Sequence, residues 1–198
     1  MTRFAILLRH GTTGADDCRK FIGHTDHPLD ADGEKQCHRL RRALVRWPVG
    51  RAYCSDLIRC RQTAEITIGD RDIEIIARQD LREPSMGEWE GRFRTEVAAT
   101  NPEESAARRR DLANHKTKGG ESFAEGQNRI WLAFQDIVAT SDDNILIAGH
   151  GSANRLLLCQ LLGMPIDHLF RLGQDHGCMN VIQIDETGYR LMQLNHVP

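Results

Sequence analysis

Two histidines in this chain each follow an apolar run and precede a glycine. His10 comes after FAILL and Arg9, and His150 comes after NILIA. A histidine at a strand end, followed by glycine, is held on a rigid element, and the planar guanidinium of Arg9 suits a phosphate group. Gly151 would open a helix whose N-terminal amides favour an anion. These residue types predict a phosphate-binding site at the ends of the strands; ordinary polar residues at the ends of strands are the alternative.

Two arginines and three carboxylates extend this set of candidates. Arg59 and Arg61 lie in SDLIRCRQTAE, directly after a predicted strand. Arg59 is the candidate for a second phosphate contact, whereas Arg61 fits an exposed helix face. Glu83 stands before a proline in LREPSMGEWEG, in a loop where a carboxylate can be directed into a cleft. Glu88 and Glu90 compete with it for that role.

Alternating strands and helices must position these residues. Continuous apolar runs are typical of strands buried on both faces, as in parallel sheets. Apolar residues three and four positions apart predict helices, one capped by Asp30 and another opened by a capping box of Ser122 and Glu125. The predicted strands are residues 4–8, 51–55, 73–77, 144–148, 178–184 and 189–194.

The predicted fold class is α/β, a three-layer α/β/α sandwich around a mostly parallel sheet. The chain of 198 residues is expected to form one domain (1–198). A more polar, irregular stretch at about 84–120 predicts a small helical cap insertion. In such folds the site lies at the C-terminal ends of the strands, which would bring the two histidines together.

Composition and charge exclude several classes of function. A formal net charge of −2 argues against a general nucleic-acid binder. No stretch approaches the ~20 apolar residues of a membrane span, and no signal peptide is recognisable. The six cysteines include no C-x-x-C pair, so reduced thiols are expected. The cytoplasm is the expected location, without nucleic-acid or membrane partners.

Five sequence blocks together resemble one family. The blocks are RHG with GHTDHPLDADG behind it, S-x-L-x-R-x-x-x-T-A, L-x-E-x-x-x-G-x-W-E-G, GGES and GHG. In this order they resemble the histidine phosphatase (phosphoglycerate-mutase-like) superfamily. The resemblance implies that His10 is phosphorylated, that Arg9, Arg59 and His150 form the phosphate pocket, and that Glu83 is the proton donor. It also implies a cap between Glu83 and the GES block that helps to choose the substrate.

One departure from the family pattern concerns the residues after His10. The family often has R-H-G-E-T-x-x-N, but here Thr12 and Asp16 replace the usual Glu and Asn. The Asn usually contacts phosphate, and an ionised Asp16 would repel it. Asp16 is therefore left out of the predicted phosphate-binding set, which consists of Arg9, Arg59 and Gly151, with His10, Glu83 and His150 as catalytic residues.

No cofactor and no metal are expected. His24, Asp26 and His27 lie close in sequence, but no further Cys or Glu cluster completes a metal site. The basic segment RRRDLANHKTK (residues 108–118) is expected to be a solvated helix face, with a gate for an anionic substrate as the alternative.

The predicted function is hydrolysis of a small-molecule phosphate ester. A phosphoglycerate-mutase type of phosphoryl transfer and a catalytically inactive binding module on the same fold are the alternatives. The C-terminal segments are similar to those of α-ribazole-5′-phosphate phosphatases, but sugar-phosphate and phosphoglycerate-type phosphatases share much of the pattern. The substrate therefore stays open, as does whether the chain forms a homodimer.

Overall fold

Six strands form one sheet in the computed structural model, which describes residues 2–14 and 19–198. The strands are Arg3–Arg9 (β1), Arg51–Ser55 (β2), Ile75–Arg78 (β3), Ile145–Gly149 (β4), Met179–Asp185 (β5) and Gly188–His196 (β6). Their order is β3-β2-β4-β1-β5-β6. The first four strands in this order pair in parallel, and the hairpin β5–β6 adds to β1 in antiparallel fashion. The predicted mostly parallel sheet is confirmed.

Alternate side chains of the strands fill two cores, one on each face of the sheet. The helices are Ala31–Ala43 (α1), Ile58–Ile68 (α2), Arg94–Thr100 (α3), Pro102–Arg110 (α4), Phe123–Ala139 (α5) and Gly151–Leu162 (α6). Ile6 and Leu8 of β1 belong to the core that α1 and α2 complete, whereas Ala5 and Leu7 belong to the core of α5 and α6. This arrangement confirms the predicted three layers.

Side-chain caps fix the start of two helices. Asp30 accepts a hydrogen bond from the Gly33 amide at 2.7 Å and so caps α1. Ser122 and Glu125 form both bonds of a capping box at the start of α5. Both caps were predicted from the sequence, because these side chains satisfy amides that lack partners within the helix.

The polar stretch between β3 and α5 contains the two short helices α3 and α4. Val97 of α3 is buried in the core on the α5–α6 side, whereas α4 has no buried residue. Both helices contribute residues to the large pocket above the strand ends. They therefore occupy the position that the sequence predicts for a cap.

The remaining features are the state of the cysteines and the length of the apolar helices. The five cysteines within the described residues are buried and form no disulfide, as expected for reduced thiols. Within residues 2–14 and 19–198, no helix is both long enough and apolar enough to span a membrane.

Candidate active site

His10 and His150 come together because β1 and β4 are neighbours in the sheet. The amide of His10 donates to the Gly149 carbonyl at 3.1 Å. The two imidazole rings lie edge to face with their centroids 5.3 Å apart. Both side chains are buried, with 5% and 1% of their surface exposed. The structure thus brings together the two histidines that the sequence singled out.

A hydrogen bond fixes the protonation state of one ring nitrogen of His10 and leaves the lone pair of the other nitrogen available. Nδ1 lies 2.7 Å from the Gly11 carbonyl; because a carbonyl only accepts, Nδ1 carries the proton and Nε2 keeps its lone pair. Nε2 has no hydrogen-bond partner among the described residues, and His10 lines the pocket. Burial, followed by the charges of Arg59 and Arg9, lowers the pKa of His10 well below its ordinary value. The ring is therefore neutral near pH 7.

The loop after His10 packs directly on the start of α1. A Cβ on Gly11 would lie 2.5 Å from the Gly33 carbonyl oxygen, so no side chain fits there. Thr12, which stands where the family often has Glu, donates from its hydroxyl to Asp30 at 2.7 Å. Thr12 therefore ties the loop to the cap of α1, and the backbone of Gly11 is held where it orients His10.

Arg59 is held by acceptors on three sides and is only 2% exposed. Its Nη1 and Nη2 donate to the carbonyls of Thr25 and Gly23, each at 2.8 Å. Its Nε donates to Nδ1 of His150 at 3.3 Å, so that the proton of His150 sits on Nε2. Burial and then the charge of Arg59 lower the pKa of His150 well below its ordinary value. A neutral N–H donor and a fixed guanidinium thus stand beside His10.

The loop that holds Arg59 depends in turn on Glu90. Oε1 of Glu90 accepts from the amides of Gly23 and Thr25 at 2.7 and 2.9 Å and from the Thr25 hydroxyl at 2.8 Å. Burial raises the pKa of Glu90, but these hydrogen bonds outweigh it and leave the pKa below its ordinary value. Glu88 instead forms an exposed ion pair with Lys118 at 2.8 Å. Neither carboxylate lines the pocket.

Glu83 is the carboxylate that reaches the pocket, at the N-terminus of α6. The Ser152 amide donates to its two oxygens at 2.9 and 3.0 Å, and the Ala153 amide donates to Oε2 at 2.9 Å. The amides of the second and third residues of α6 therefore bind the carboxyl group of Glu83. The amide of Gly151, the first residue of α6, has no hydrogen-bond partner among the described residues and lines the pocket.

Arg9 is positioned by the segment that leads into β5. Its Nη1 donates to the Gln174 carbonyl at 2.5 Å, and its Nη2 donates to Nε2 of His176 at 2.6 Å. Nδ1 of His176 donates to the His10 carbonyl at 3.2 Å. His176 thus accepts from Arg9 while it is bonded to the backbone of the residue that carries the candidate nucleophile.

A buried amide network supports this segment. The side chain of Gln174 bonds to Asn154 at 3.1 Å and to Asn180 at 2.7 Å. Asn154 and Asn180 also donate to the carbonyls of Leu8 and Leu7, each at 3.1 Å. The network joins α6, β5 and β1, and so fixes the position of the Arg9 side chain relative to the strand that bears His10.

These side chains surround one end of a cavity of about 570 Å³. The same cavity is also lined by Arg94 of α3 and by Arg108 and Arg109 of α4, together with aromatic side chains; this part is called the cap end. A pocket of this size, with a cationic end and a buried neutral imidazole, suits a small phosphate ester.

Comparison with known proteins decides the family. The sequence profile of the histidine phosphatase superfamily (branch 1) matches residues 5–197. The chain belongs to this superfamily. It is 33% identical over 190 residues to the adenosylcobalamin/α-ribazole phosphatase of Salmonella typhimurium, covering 96% of this chain and 94% of that protein. Phosphoserine phosphatase 1 of Hydrogenobacter thermophilus is 28% identical over 193 residues, covering 96% and 90%.

Solved structures agree with this assignment. The crystal structure of the α-ribazole phosphatase from Shigella flexneri superposes with a TM-score of 0.89 at 28% identity, covering 98% of this chain and 96% of that one. The predicted enzyme class, a phosphatase, is confirmed by the family and by these relatives.

The predicted site residues of this histidine phosphatase all line the cavity. They are Arg9, His10, Arg59, Glu83, His150 and Gly151. Arg61 is exposed, as expected. Asp16 and Cys18 lie outside the described residues. His24 and Asp26 bond to backbone groups of Glu83 and Ile58, and among the described residues no group of three or more metal-ligating side chains lies together.

Sequence reasoning missed His176, Arg155 and Arg94, which line the pocket. His176 is followed by glycine, like His10 and His150, but it precedes a strand instead of following one. The third His–Gly pair was a signal that was present in the sequence. The expectation of a solvated helix face for residues 108–118 is wrong, because α4 ends at Arg110 and Arg108 is partly buried in the pocket.

Proposed function

We propose that this histidine phosphatase hydrolyses a small-metabolite phosphate monoester through a phosphohistidine intermediate on Nε2 of His10. The observation that carries the proposal is the state of His10. Its Nδ1 is bonded to the Gly11 carbonyl, its pKa is lowered by burial and by Arg59, and its Nε2 belongs to a pocket rich in phosphate-binding groups. The names of the relatives, which include phosphatases for α-ribazole and for phosphoserine, support a metabolite ester.

In the first step, the lone pair of His10 Nε2 attacks phosphorus and the bond from phosphorus to the ester oxygen breaks. Phosphoryl transfer depends mainly on positioning and on neutralising the charge of the equatorial oxygens. Arg9, Arg59, the N–H of His150 and the Gly151 amide can supply both in a buried pocket. Glu83 donates a proton to the departing alkoxide.

In the second step, water attacks the phosphohistidine and the phosphorus–nitrogen bond breaks. Glu83, now a carboxylate, takes a proton from that water, and its position at the α6 amides keeps it at the pocket. The imidazole of His10 returns to its neutral form. No step needs a metal or an organic cofactor, because the arginines carry the charge neutralisation. Activity in the cytoplasm, without nucleic-acid or membrane partners, is part of the proposal.

Phosphate release from a panel of metabolite phosphates, measured with EDTA present, tests this function. Steady release of inorganic phosphate from at least one ester or from p-nitrophenyl phosphate is expected. Phosphoryl transfer between positions of phosphoglycerate without phosphate release would favour a mutase. A correctly folded chain that hydrolyses nothing would favour an inactive binding module, and activity that a divalent ion alone restores would contradict the metal-free mechanism.

A further inference from the structure

The loop that holds Arg59 also contacts the segment that carries Glu83. His24 lies between Gly23 and Thr25 in this loop. The carbonyls of these two neighbours accept hydrogen bonds from Arg59, each at 2.8 Å. Nε2 of His24 lies 3.0 Å from the Glu83 carbonyl; because a carbonyl only accepts, Nε2 carries the proton and donates it. The side chain of His24 thus links the loop around Arg59 to the backbone of the proposed proton donor.

His24 is the side chain that fixes the peptide group after Glu83. Among the described residues it is the one hydrogen-bond partner of the Glu83 carbonyl. The next residue, Pro84, has no N–H to donate. The carbonyl of the preceding residue, Arg82, accepts from Arg129 at 3.1 Å, so a separate contact holds the chain on the other side of Glu83.

The loop and the Glu83 segment are packed closely at this point. A Cβ on Gly23 would lie 2.6 Å from the Pro84 carbonyl oxygen and 2.9 Å from Oε2 of Glu90, so no side chain fits there. His24 is half-buried, and within residues 2–14 and 19–198 its side chain makes no hydrogen bond other than the one to Glu83. The contact between the loop and Glu83 therefore depends on this one donor.

Glu83 is held at two points, which together set the position of its carboxyl group. The carboxyl group accepts from the amides of Ser152 and Ala153, and the carbonyl accepts from His24. A general acid must lie within hydrogen-bond reach of the leaving oxygen, and a displacement of about 1 Å can cost roughly 100-fold in rate. Loss of the backbone contact should therefore impair proton transfer although the carboxyl group is still present.

We propose that His24 is a positioning residue for Glu83, which it holds at the pocket through the hydrogen bond to the Glu83 carbonyl. The proposal rests on the proposed function, because it takes Glu83 to be the group that protonates the leaving oxygen. The same loop also holds Arg59, but the two effects differ in what they slow. A displaced Glu83 slows esters with basic leaving groups, whereas a displaced Arg59 slows every ester.

Phenyl phosphate and p-nitrophenyl phosphate test this role, because they differ by one nitro group and in the basicity of the leaving group. Rapid-quench measurements follow the cleavage step for each ester. His24→Ala should slow cleavage of phenyl phosphate roughly 10- to 100-fold and that of p-nitrophenyl phosphate by less than about threefold. Equal losses with the two esters, or no loss with either, would overturn the proposal.

Two further substitutions separate the hydrogen bond from the shape of the side chain. His24→Gln places an N–H donor at a similar distance from the backbone and should restore most of the rate with phenyl phosphate. His24→Phe keeps a ring without a donor and should behave like His24→Ala. A His24→Gln variant as slow as His24→Ala with phenyl phosphate would overturn the proposal.

His27→Phe is the matched control for these variants. His27 lies in the same loop, does not line the pocket, and makes no side-chain hydrogen bond among the described residues. The control should keep both wild-type rates. If it slows phenyl phosphate selectively, as His24→Ala is expected to do, the effect belongs to the loop as a whole and the assignment to His24 is wrong.

Failure of this inference can be told from failure of the proposed function. Turnover of p-nitrophenyl phosphate that is lost in His10→Ala supports the function whatever the His24 variants do. If the wild type turns over neither ester, hydrogen exchange decides the inference, because Glu83 binds the amides of Ser152 and Ala153. These amides should exchange roughly tenfold faster in His24→Ala and at the wild-type rate in His24→Gln. Equal exchange in wild type and His24→Ala would overturn the proposal.

Discussion

The two ends of the pocket hold their arginines in different ways. The end that carries the proposed phosphate-binding residues is called the phosphate end. There, Arg59 donates to the carbonyls of Gly23 and Thr25, and Arg9 donates to Gln174 and His176. At the cap end, Arg108 is held by aromatic rings. Directional hydrogen bonds from strands and helices fix a geometry closely, whereas cation–π contacts on short cap helices leave the charge available. The two arrangements therefore differ in how closely they fix the position of a guanidinium.

Removing His10 should have the largest effect. His10→Ala removes the proposed nucleophile at the phosphate end, so kcat should fall by roughly 10⁴-fold or more for every substrate. The variant should keep its fold, and His38→Ala on the exposed side of α1 should keep wild-type activity. Comparable kcat values in wild type and His10→Ala would show that His10 is not the nucleophile. The assignment of the phosphoryl group to the end of the pocket that contains His10 would then also fail.

Glu83→Gln should slow the cleavage of alkyl phosphates much more than that of p-nitrophenyl phosphate. Loss of the proton donor should slow cleavage of an alkyl phosphate by roughly 10²–10⁴-fold. Cleavage of p-nitrophenyl phosphate should suffer much less, because that leaving group is stable as an anion. Rapid-quench measurements on both esters compare the cleavage steps. Equal losses would mean that Glu83 serves to position groups or to repel charge and does not donate the proton.

Glu90 should act on the phosphate end through the Gly23–Thr25 loop. Glu90→Ala leaves the Gly23 and Thr25 amides without their acceptor, so Arg59 loses its fixed position. The affinity for inorganic phosphate should fall roughly tenfold. Glu88→Ala is the matched control, because Glu88 pairs with an exposed lysine. A Glu90→Ala variant with a lower melting temperature but unchanged phosphate affinity would show a purely structural role.

The smallest effect should appear in the pH dependence of stability. His10 and His150 have folded-state pKa values well below 6.5, so as the pH falls below 6.5 the unfolded chain takes up protons that the folded chain does not. Stability should therefore fall with pH in that range, by about 1.4 kcal/mol per pH unit for each such histidine. Denaturant unfolding between pH 7 and 5 should show a shallower dependence in His10→Gln than in wild type. His38→Gln should match wild type, and an unchanged slope in His10→Gln would mean that His10 is not buried in its neutral form.

The phosphate end was predictable because its residues follow parallel strands. Apolar runs mark such strands, and the residues after them meet at one edge of the sheet. His176 escaped this reasoning because β5 runs antiparallel, which brings the start of that strand to the same edge as the ends of β1 and β4. The sequence does not show the direction of a strand, so the His–Gly pair at positions 176 and 177 could not be placed at that edge.

The cap end was less predictable for a different reason. No residue of α4 is buried, so no apolar face marks which of its arginines points inwards. The separation of Glu83, Glu88 and Glu90 likewise depended on loop geometry and not on spacing. Glu88 forms an ion pair and Glu90 accepts hydrogen bonds from a loop, whereas Glu83 reaches the pocket.

Direct detection of the phosphoenzyme tests the proposed mechanism most closely. Wild-type and Glu83→Gln chains would be mixed with p-nitrophenyl phosphate, quenched in alkali within milliseconds to seconds, and digested for mass spectrometry. Phosphate should be found on His10, should be more abundant in Glu83→Gln because the second step is slowed, and should be absent from His10→Ala. Phosphate release without a labelled intermediate, or a label on His150 or His176 in its place, would contradict the assignment of His10 as the nucleophile.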